Sequence, residues 1–598
     1  MKKLIFSILA LGFLTVNAHA VPAWRGVFKH RQPDGSVIEL QRHGDEFFHW
    51  TTDAKGQVMR LDERGFYRPS ALSGPQKELA AVRRSLVRRR QGMTRVGEGK
   101  TLTSGQRHIP VVLVSFQDKD FTVSDPKSMF DKLLNQHGYA YNGATGSVRD
   151  YYYENSHGVF EPVFDVYGPV MLPHEIAYYG GDENRVPEAV NEAASLLDYA
   201  IDFSQYDADK NGTVDMILMY YAGYNEAEGG PEETIWPHQY YVWDSDTFDG
   251  KRLDRYFCTS ELKWNSGSEF CSIGTTSHEF AHSLGLPDFY DTDYEDNGSA
   301  GALYDFSIMC SGSYLNSSNT PPHFNAIERN LLGWMLDEDI RELKEGVNEI
   351  PSIRNDVAYK LPTDVEGEFF LIETRDGTVW DAYLPEGMLI YHVDRAPSHD
   401  IPLVYTDERG TARSYSVSAA ELWDHWEYYN AINQNGSHPC FYVVPSGDPG
   451  NLWYHYDYPQ GNEVYEVAQS LDKMVYPGAF DVTEYTPVTW DRHELGLFLQ
   501  DIDYRSGISH VTLFKDSGLI NYSSIACASS YKVGDILELK LVEAEEDKPA
   551  SVSWTLDGRS VSGSVRFSSA GICLLEATLS YADGRREVIE SRIEVTSD

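Results

Sequence analysis

The chain has 598 residues, and its 91 Asp and Glu against 50 Lys and Arg leave a formal charge of −41; such a surface repels nucleic acid and anionic membranes and excludes both as partners. Six cysteines are too few for a scaffold built on disulfides. With 39 tyrosines and 41% hydrophobic residues, disorder is not the default, and the length predicts several domains.

The chain opens with Lys2 and Lys3, runs apolar from Leu4 to Val16 and reaches Ala18-His19-Ala20. This pattern predicts an export signal over residues 1–20, cut after Ala20, because the apolar stretch is too short to span a bilayer. No later run approaches membrane-helix length, so the expectation is a secreted, periplasmic or cell-surface protein without membrane insertion. Between Val21 and Arg107 there are 17 Lys or Arg and 9 Asp or Glu, so a basic front segment precedes a strongly acidic body and should dock onto it. The turn signal at 33–36 and the glycines that follow predict short strands up to about residue 75. From Gln76 to Lys100 the chain is polar and basic, with Arg83-Arg84 and Arg88-Arg89-Arg90, and reads as a protease-sensitive connection.

The near-continuous apolar run at 109–116 predicts a central strand. Helical periodicity follows at 126–136, 145–155 and 187–201, the last opened by Pro187, and a strand at 213–223 comes next. The alternation predicts a sheet backed by helices. Just before that last strand, Asp207, Asp209, Asn211 and Asp215 fall at positions 1, 3, 5 and 9 of an EF-hand-type loop, with Gly212 at 6 and the Thr213 carbonyl at 7. This is a candidate Ca²⁺ site. Position 12 is Leu218, so the bidentate carboxylate must come from elsewhere or the site is weaker.

Residues 274–291 read GTTSHEFAHSLGLPDFYD. On a helix, His278 and His282 project from one side a turn apart with Glu279 beside them, which suits Zn²⁺ and a water activated by the glutamate. Thr276 and Glu279 also have capping-box spacing, but a start there leaves about two turns of helix, so the helix is expected to begin near Ile273. Gly285 is a natural stop, after which the chain can turn back to offer Asp288 as third ligand, with Asp291 as a rival. Downstream, Ser307-Ile308-Met309-Cys310 places Met309 where metzincins carry the methionine turn beneath their zinc. Residues 321–334 predict a closing helix.

These motifs, with DFSQYDADKNGTVD, IWPHQ at 235–239 and YYYENSHGVF at 151–160, resemble the M6 family of secreted bacterial metallopeptidases of the immune inhibitor A type. The resemblance covers roughly residues 105–515, including FFLIETRDGTVWDAYLPEGMLIYHVDR at 369–395, and the front segment resembles the family's pro-domain. It implies His278, His282 and Asp288 as zinc ligands, Glu279 as general base and Met309 as the turn residue. It also implies a zinc-dependent endopeptidase made as a zymogen, with protein or peptide substrates and its own pro-domain as inhibitor. No cysteine precedes Cys258, so a pro-segment thiolate cannot block the metal; Asp45, in GDEFFH, is the latency candidate. Tyr304 and Tyr314 are possible oxyanion helpers. Two other readings fit the same ligands: a metal-stapled, non-catalytic surface or matrix protein, and a zinc amidase acting on peptidoglycan.

The expected fold is α+β. A signal peptide (1–20) and a pro-domain with basic linker (21–105) precede a metzincin-like catalytic domain (106–338), in which a twisted sheet carries a backing helix and an active-site helix. A β-rich domain (339–516) and an immunoglobulin-like β-sandwich (517–598) with Trp554 in its core follow. In the β-rich stretch, Trp380, Trp423, Trp426, Trp453 and Trp490 are expected to fill the core. Cys258 with Cys271 is the first candidate disulfide, and a free buried pair is the equal alternative.

Overall fold

A computed structural model describes residues 21–45, 49–62, 64–70, 102–180, 185–292, 302–406, 412–436, 438–446, 471–491, 495–515, 524–525, 527, 530–542, 548–581 and 586–597. The expected export signal at 1–20, the basic connection at 76–100 and Trp453 lie outside the described residues. The chain is a mixed α+β protein rich in sheet, and it divides into two compact units. One runs to Tyr485 and includes Leu499–Leu513; the other comprises Thr486–Phe498 and Phe514–Asp598.

In the first unit, the front segment forms an antiparallel meander of five strands in sequence order: β1 (Val27–Arg31), β2 (Val37–Gly44), β3 (His49–Asp53), β4 (Val58–Leu61) and β5 (Tyr67–Pro69). Its small core is Phe28, Leu40 and Tyr67, with Trp24 and Ile38 against them.

The central sheet follows. β7 (Phe160–Met171), β6 (Gly105–Ser115), β8 (Thr213–Tyr224) and β11 (Lys251–Leu262) lie side by side and parallel. β9 (His238–Tyr241) and β10 (Thr247–Phe248) pair antiparallel to β11. Ile109 to Ser115 are all buried, since a strand inside a parallel sheet is covered on both faces. One face, through Val111, Leu113, Leu218 and Tyr220, packs on helices α1 (Pro126–Asn135), α2 (Val148–Asn155) and α4 (Ile273–Leu284). The other, through Val112, Val114, Ile217 and Met219, packs on α3 (Val186–Leu197).

This division decides between the two readings of the cysteine pair, against the bridge and for free buried thiols. Cys258 lies in the core on the α3 face and Cys271 in the core on the α4 face, and both are free thiols. The closing helix is also shorter than expected. Asn325 caps it, its side chain accepting from Glu328 N while the Glu328 side chain accepts from Asn325 N, so the helix spans only Ala326–Leu331. Gly333 then turns at φ 75°.

Beyond it, strands Ile340–Glu342, Ala358–Pro362, Glu368–Arg375, Gly387–Asp394 and Phe441–Val443 form a second sheet in that order. Trp380, Trp423 and Trp426 are buried there, as the core reading expects. Arg375 is wholly buried; it bonds Glu373 at 2.7 Å and Asp381 at 3.0 Å, so its charge is compensated on two sides. In the second unit, Ser530–Lys532, Arg586–Thr596, Gly571–Ser580, Ser551–Leu556 and Arg559–Val561 form a five-stranded sheet, and Trp554 packs against its core.

Candidate metal centre

Helix α4 starts at Ile273 with Ser272 as its cap residue, so Glu279 lies within the helix and does not close a capping box. All twelve of its residues are buried. Gly274 permits this: a Cβ there would stand 1.9 Å from Ser313 O, so only glycine lets the helix approach that turn. The helix ends at Gly285 (φ 110°), whose N–H turns back to the carbonyls of Ala281 and His282.

The two histidines are oriented from behind. His278 Nδ1 donates to Ile308 O at 2.6 Å and His282 Nδ1 to Leu286 O at 2.8 Å. A carbonyl only accepts, so each Nδ1 carries the ring proton and each Nε2 presents a lone pair. Those Nε2 atoms face each other at 3.0 Å, and Asp288 Oδ1 stands 3.5 Å from the first and 3.2 Å from the second. Three buried acceptors turned on one point repel one another unless a cation lies between them, and two imidazoles with one carboxylate are the donor set Zn²⁺ takes. The residues present therefore fit the metal.

Asp288 is held by Asn430, whose Nδ2 donates to Asp288 Oδ2 at 2.9 Å and whose Oδ1 accepts from Asp288 N at 3.2 Å. Asp291 is buried, but the trio that converges is His278, His282 and Asp288. Met309 is wholly buried below, its carbonyl accepting from Phe289 N at 3.0 Å, which ties the methionine turn to the loop carrying Asp288. Ser307 locks that turn by donating to Glu328 and accepting from Met309 N.

Glu279 is wholly buried, and burial drives its carboxyl well above the ordinary carboxylate range; the Val21 N–H bond opposes this and the Asp288 charge adds to it. Val21 N donates to Glu279 Oε1 at 2.8 Å. The front segment thus enters the site with its first described residues. Val21 O accepts from Trp236 Nε1 at 3.0 Å, Pro22 O from Tyr314 Oη at 2.7 Å, and Trp24 N donates to Ala227 O at 2.9 Å. Val21 and Ala23 pack with Ala227, Trp236 and Tyr314. The described residue that meets Glu279 is Val21; Asp45, the candidate for blocking the metal, is buried after β2, its carbonyl accepting from His49 Nδ1 at 3.2 Å. Sequence reasoning missed Val21, Trp236 and Asn430 because no spacing pattern connects them to residues 278–288.

The acidic loop before β8 is a second cluster. Asp207, Asp209 and Asp215 bring carboxylate oxygens within 4.8 Å of one another. Asp207 Oδ2 accepts from Gly212 N and pairs with Lys251, while Asp215 Oδ2 accepts from Ala208 N at 2.9 Å. Asn211 Oδ1 accepts from Thr213 N and Oγ1. Among the described residues, the buried Asp207 Oδ1 and Asp215 Oδ1 have no hydrogen-bond partner. Burial, with the neighbouring Asp209 and Asp207 charges, pushes the Asp215 carboxyl up to about 6. Two orphaned carboxylate oxygens in an acidic loop fit a divalent cation, although the Lys251 ammonium already neutralises part of the Asp207 charge and no carboxylate fills the twelfth position.

A glutamate beside two helical histidines and a carboxylate, with a tight methionine-bearing turn beneath, is the arrangement of a metal-dependent hydrolase. The comparison is more specific: residues 114–334 match the immune inhibitor A peptidase M6 catalytic domain. It is similar to the pre-pro-metalloprotease PrtV of Vibrio cholerae, at 27% identity over 234 residues, 32% of this chain and 24% of that protein. It is also similar to immune inhibitor A of Bacillus thuringiensis, at 24% identity over 241 residues, 34% of this chain and 35% of that one. The match thus spans about a quarter to a third of the length of these relatives. Among solved structures, OgpA of Akkermansia muciniphila aligns with 52% of this chain and 92% of its own at 12% identity and a TM-score of 0.24, too slight a likeness to carry an argument.

Proposed function

We propose that the protein is an exported zinc-dependent endopeptidase made as a zymogen, on a metzincin-like catalytic domain with a further β-sandwich of immunoglobulin type. The observation that carries this reading is the convergence of His278 Nε2, His282 Nε2 and Asp288 Oδ1 beside Glu279. His278, His282 and Asp288 would hold Zn²⁺, which when bound makes a water more acidic and polarises the scissile carbonyl. Glu279 takes a proton from the attacking water and hands it to the leaving amine. Val21 N, 2.8 Å from Glu279 Oε1, stands where that amine would stand, so the front segment lies along the leaving-group side of the cleft in the manner of a product. It denies substrate both the base and the donors Trp236 and Tyr314, and its removal opens them. No helix among the described residues is long and apolar enough to cross a membrane. The acidic loop at Asp207, Asp209, Asn211, Thr213 and Asp215 holds Ca²⁺ and stabilises the start of β8.

The test is Glu279→Gln in the processed full chain. The variant should retain zinc by elemental analysis and lose casein and gelatin hydrolysis by at least a hundredfold. Zinc-loaded Glu279→Gln as active as the parent would refute the peptidase reading and favour a structural metal. Hydrolysis of peptidoglycan but not of casein would favour the amidase.

A further inference from the structure

We infer that Glu226 makes the processed enzyme select a cationic side chain at the third residue on the leaving-group side of the scissile bond; this rests on the peptidase reading above. Glu226 follows β8, two residues beyond its end, and is 4% exposed. Its Oε1 accepts from Arg42 Nη1 at 3.2 Å and from His49 Nε2 at 2.8 Å. Arg42 Nη2 also donates to Gly230 O at 3.3 Å, and the His49 ring stacks on Trp236 with centroids 5.1 Å apart. Among the described residues, the cationic groups in contact with Glu226 thus both belong to the front segment.

That carboxylate flanks the track on which residues 21–24 lie. Trp236, under His49, holds Val21 O; Ala227, next to Glu226, holds Trp24 N. Ala23 is the residue of the track that packs with Ala227, next to Glu226, and with Trp236, under His49. With Val21 N at the leaving-amine position, Ala23 is the third residue counted from the scissile bond. Its methyl is short, and the Glu226 carboxylate is occupied by Arg42 and His49.

When the front segment departs, both cations leave and Glu226 remains in a wall of low polarity. A carboxylate there is costly unless a positive partner replaces them. Glu232 also accepts from Tyr67 of the departing segment, so a second carboxylate of this loop loses a partner when the segment leaves, whereas Glu228 keeps the charge of the buried Lys263. An arginine or lysine in the substrate restores the pairing, and arginine can reproduce both the Glu226 and the Gly230 contacts of Arg42.

The experiment is cleavage of a mixed peptide library by the processed full chain, with sequencing of the new N-termini, followed by kinetics on two peptides differing only as Arg or Ala at the third position. The expected result is enrichment of Arg and Lys there and a kcat/KM at least tenfold higher for the Arg peptide. In Glu226→Gln that ratio should fall close to one, and in the parent enzyme it should shrink as ionic strength rises. A parent enzyme that cleaves the library with no basic preference at that position overturns the inference while leaving the peptidase reading intact. If Glu226→Gln does not fold, the parent library profile and its salt dependence still decide. A parent enzyme that cleaves neither library nor casein overturns both readings.

Discussion

Replacing Gly274 with alanine adds one methyl at the first turn of the histidine helix. Its Cβ would stand 1.9 Å from Ser313 O and 3.0 Å from Ser318 O. Ordinary contact begins near ~3.4 Å, so helix or turn must retreat by roughly 1.5 Å in a core packed at crystal-like density. Overpacking of this kind costs about 1–3 kcal/mol, which at about 2–4 °C per kcal/mol lowers a melting midpoint by roughly 2–12 °C. The functional cost should be larger in proportion. His278 is one turn further along the same helix, and a misplacement of about 1 Å at a reacting centre removes on the order of a hundredfold in rate. The assay is thermal unfolding with peptide hydrolysis by the processed enzyme, beside Gly285→Ala as comparison. Gly285 has nothing within 4 Å of its would-be Cβ but sits at φ 110°, so that variant should show backbone strain alone, about 1–2 kcal/mol. Gly274→Ala with parental melting and parental kcat/KM would show that close approach to Ser313 does not position the helix.

Other perturbations probe the front segment and the acidic loop. Tyr314→Phe removes the bond to Pro22 O and leaves a carbonyl unsatisfied, about 1–2 kcal/mol, so hydrolysis by the unprocessed chain should rise roughly five- to thirtyfold relative to the processed form of the same variant; an unchanged ratio would dismiss the contact as incidental. Burial lowers the His49 pKa, but the charge and hydrogen bond of Glu226 outweigh it, Arg42 opposing, and the net shift is upward from 6.5. A group raised on docking stabilises the docked state below its undocked pKa and loses that contribution as pH rises through the docked one. Hydrolysis by the unprocessed chain should therefore increase with pH above the mid-sixes, and His49→Gln should flatten the rise; a parent profile already flat there would remove His49 from the latch. Calcium should raise the melting midpoint of the full chain and lose that effect in Asp215→Asn, whereas identical melting with calcium and with a calcium chelator would show that Lys251 suffices for the loop.

Signals with short range were legible in the sequence. The four-residue spacing of His278 and His282, the stop at Gly285 and the buried run at 109–116 each depend on the period of one element, and the structure places each as its period requires. The same locality let the alternating strands and helices between residues 105 and 224 be read, although helix ends moved where caps decided them, as at Ser147 and Asn325. Cys258 and Cys271 failed as a pair for the converse reason: nearness along a chain says nothing about which face of a sheet each residue takes, and a crossing from β11 to α4 separates them.

What could not be read was set by contacts across long stretches of chain. Val21 meets Glu279 over 258 positions, Tyr314 meets Pro22 over 292 and Asn430 meets Asp288 over 142. No periodicity links such residues; Val21 and Asn430 are unremarkable in their own neighbourhoods, and Tyr314 stands out there only as an oxyanion helper, not as a partner of the front segment. Asp45 drew attention because it carries chemistry, whereas Val21 meets the glutamate with a backbone N–H that every non-proline residue has. The basic charge of the front segment did foreshadow docking on an acidic body, and Arg42 and His49 on Glu226 express it at one point. Composition thus announced that the segment docks, and only the fold shows that its leading residues reach Glu279, Trp236 and Tyr314 with their polar backbone groups.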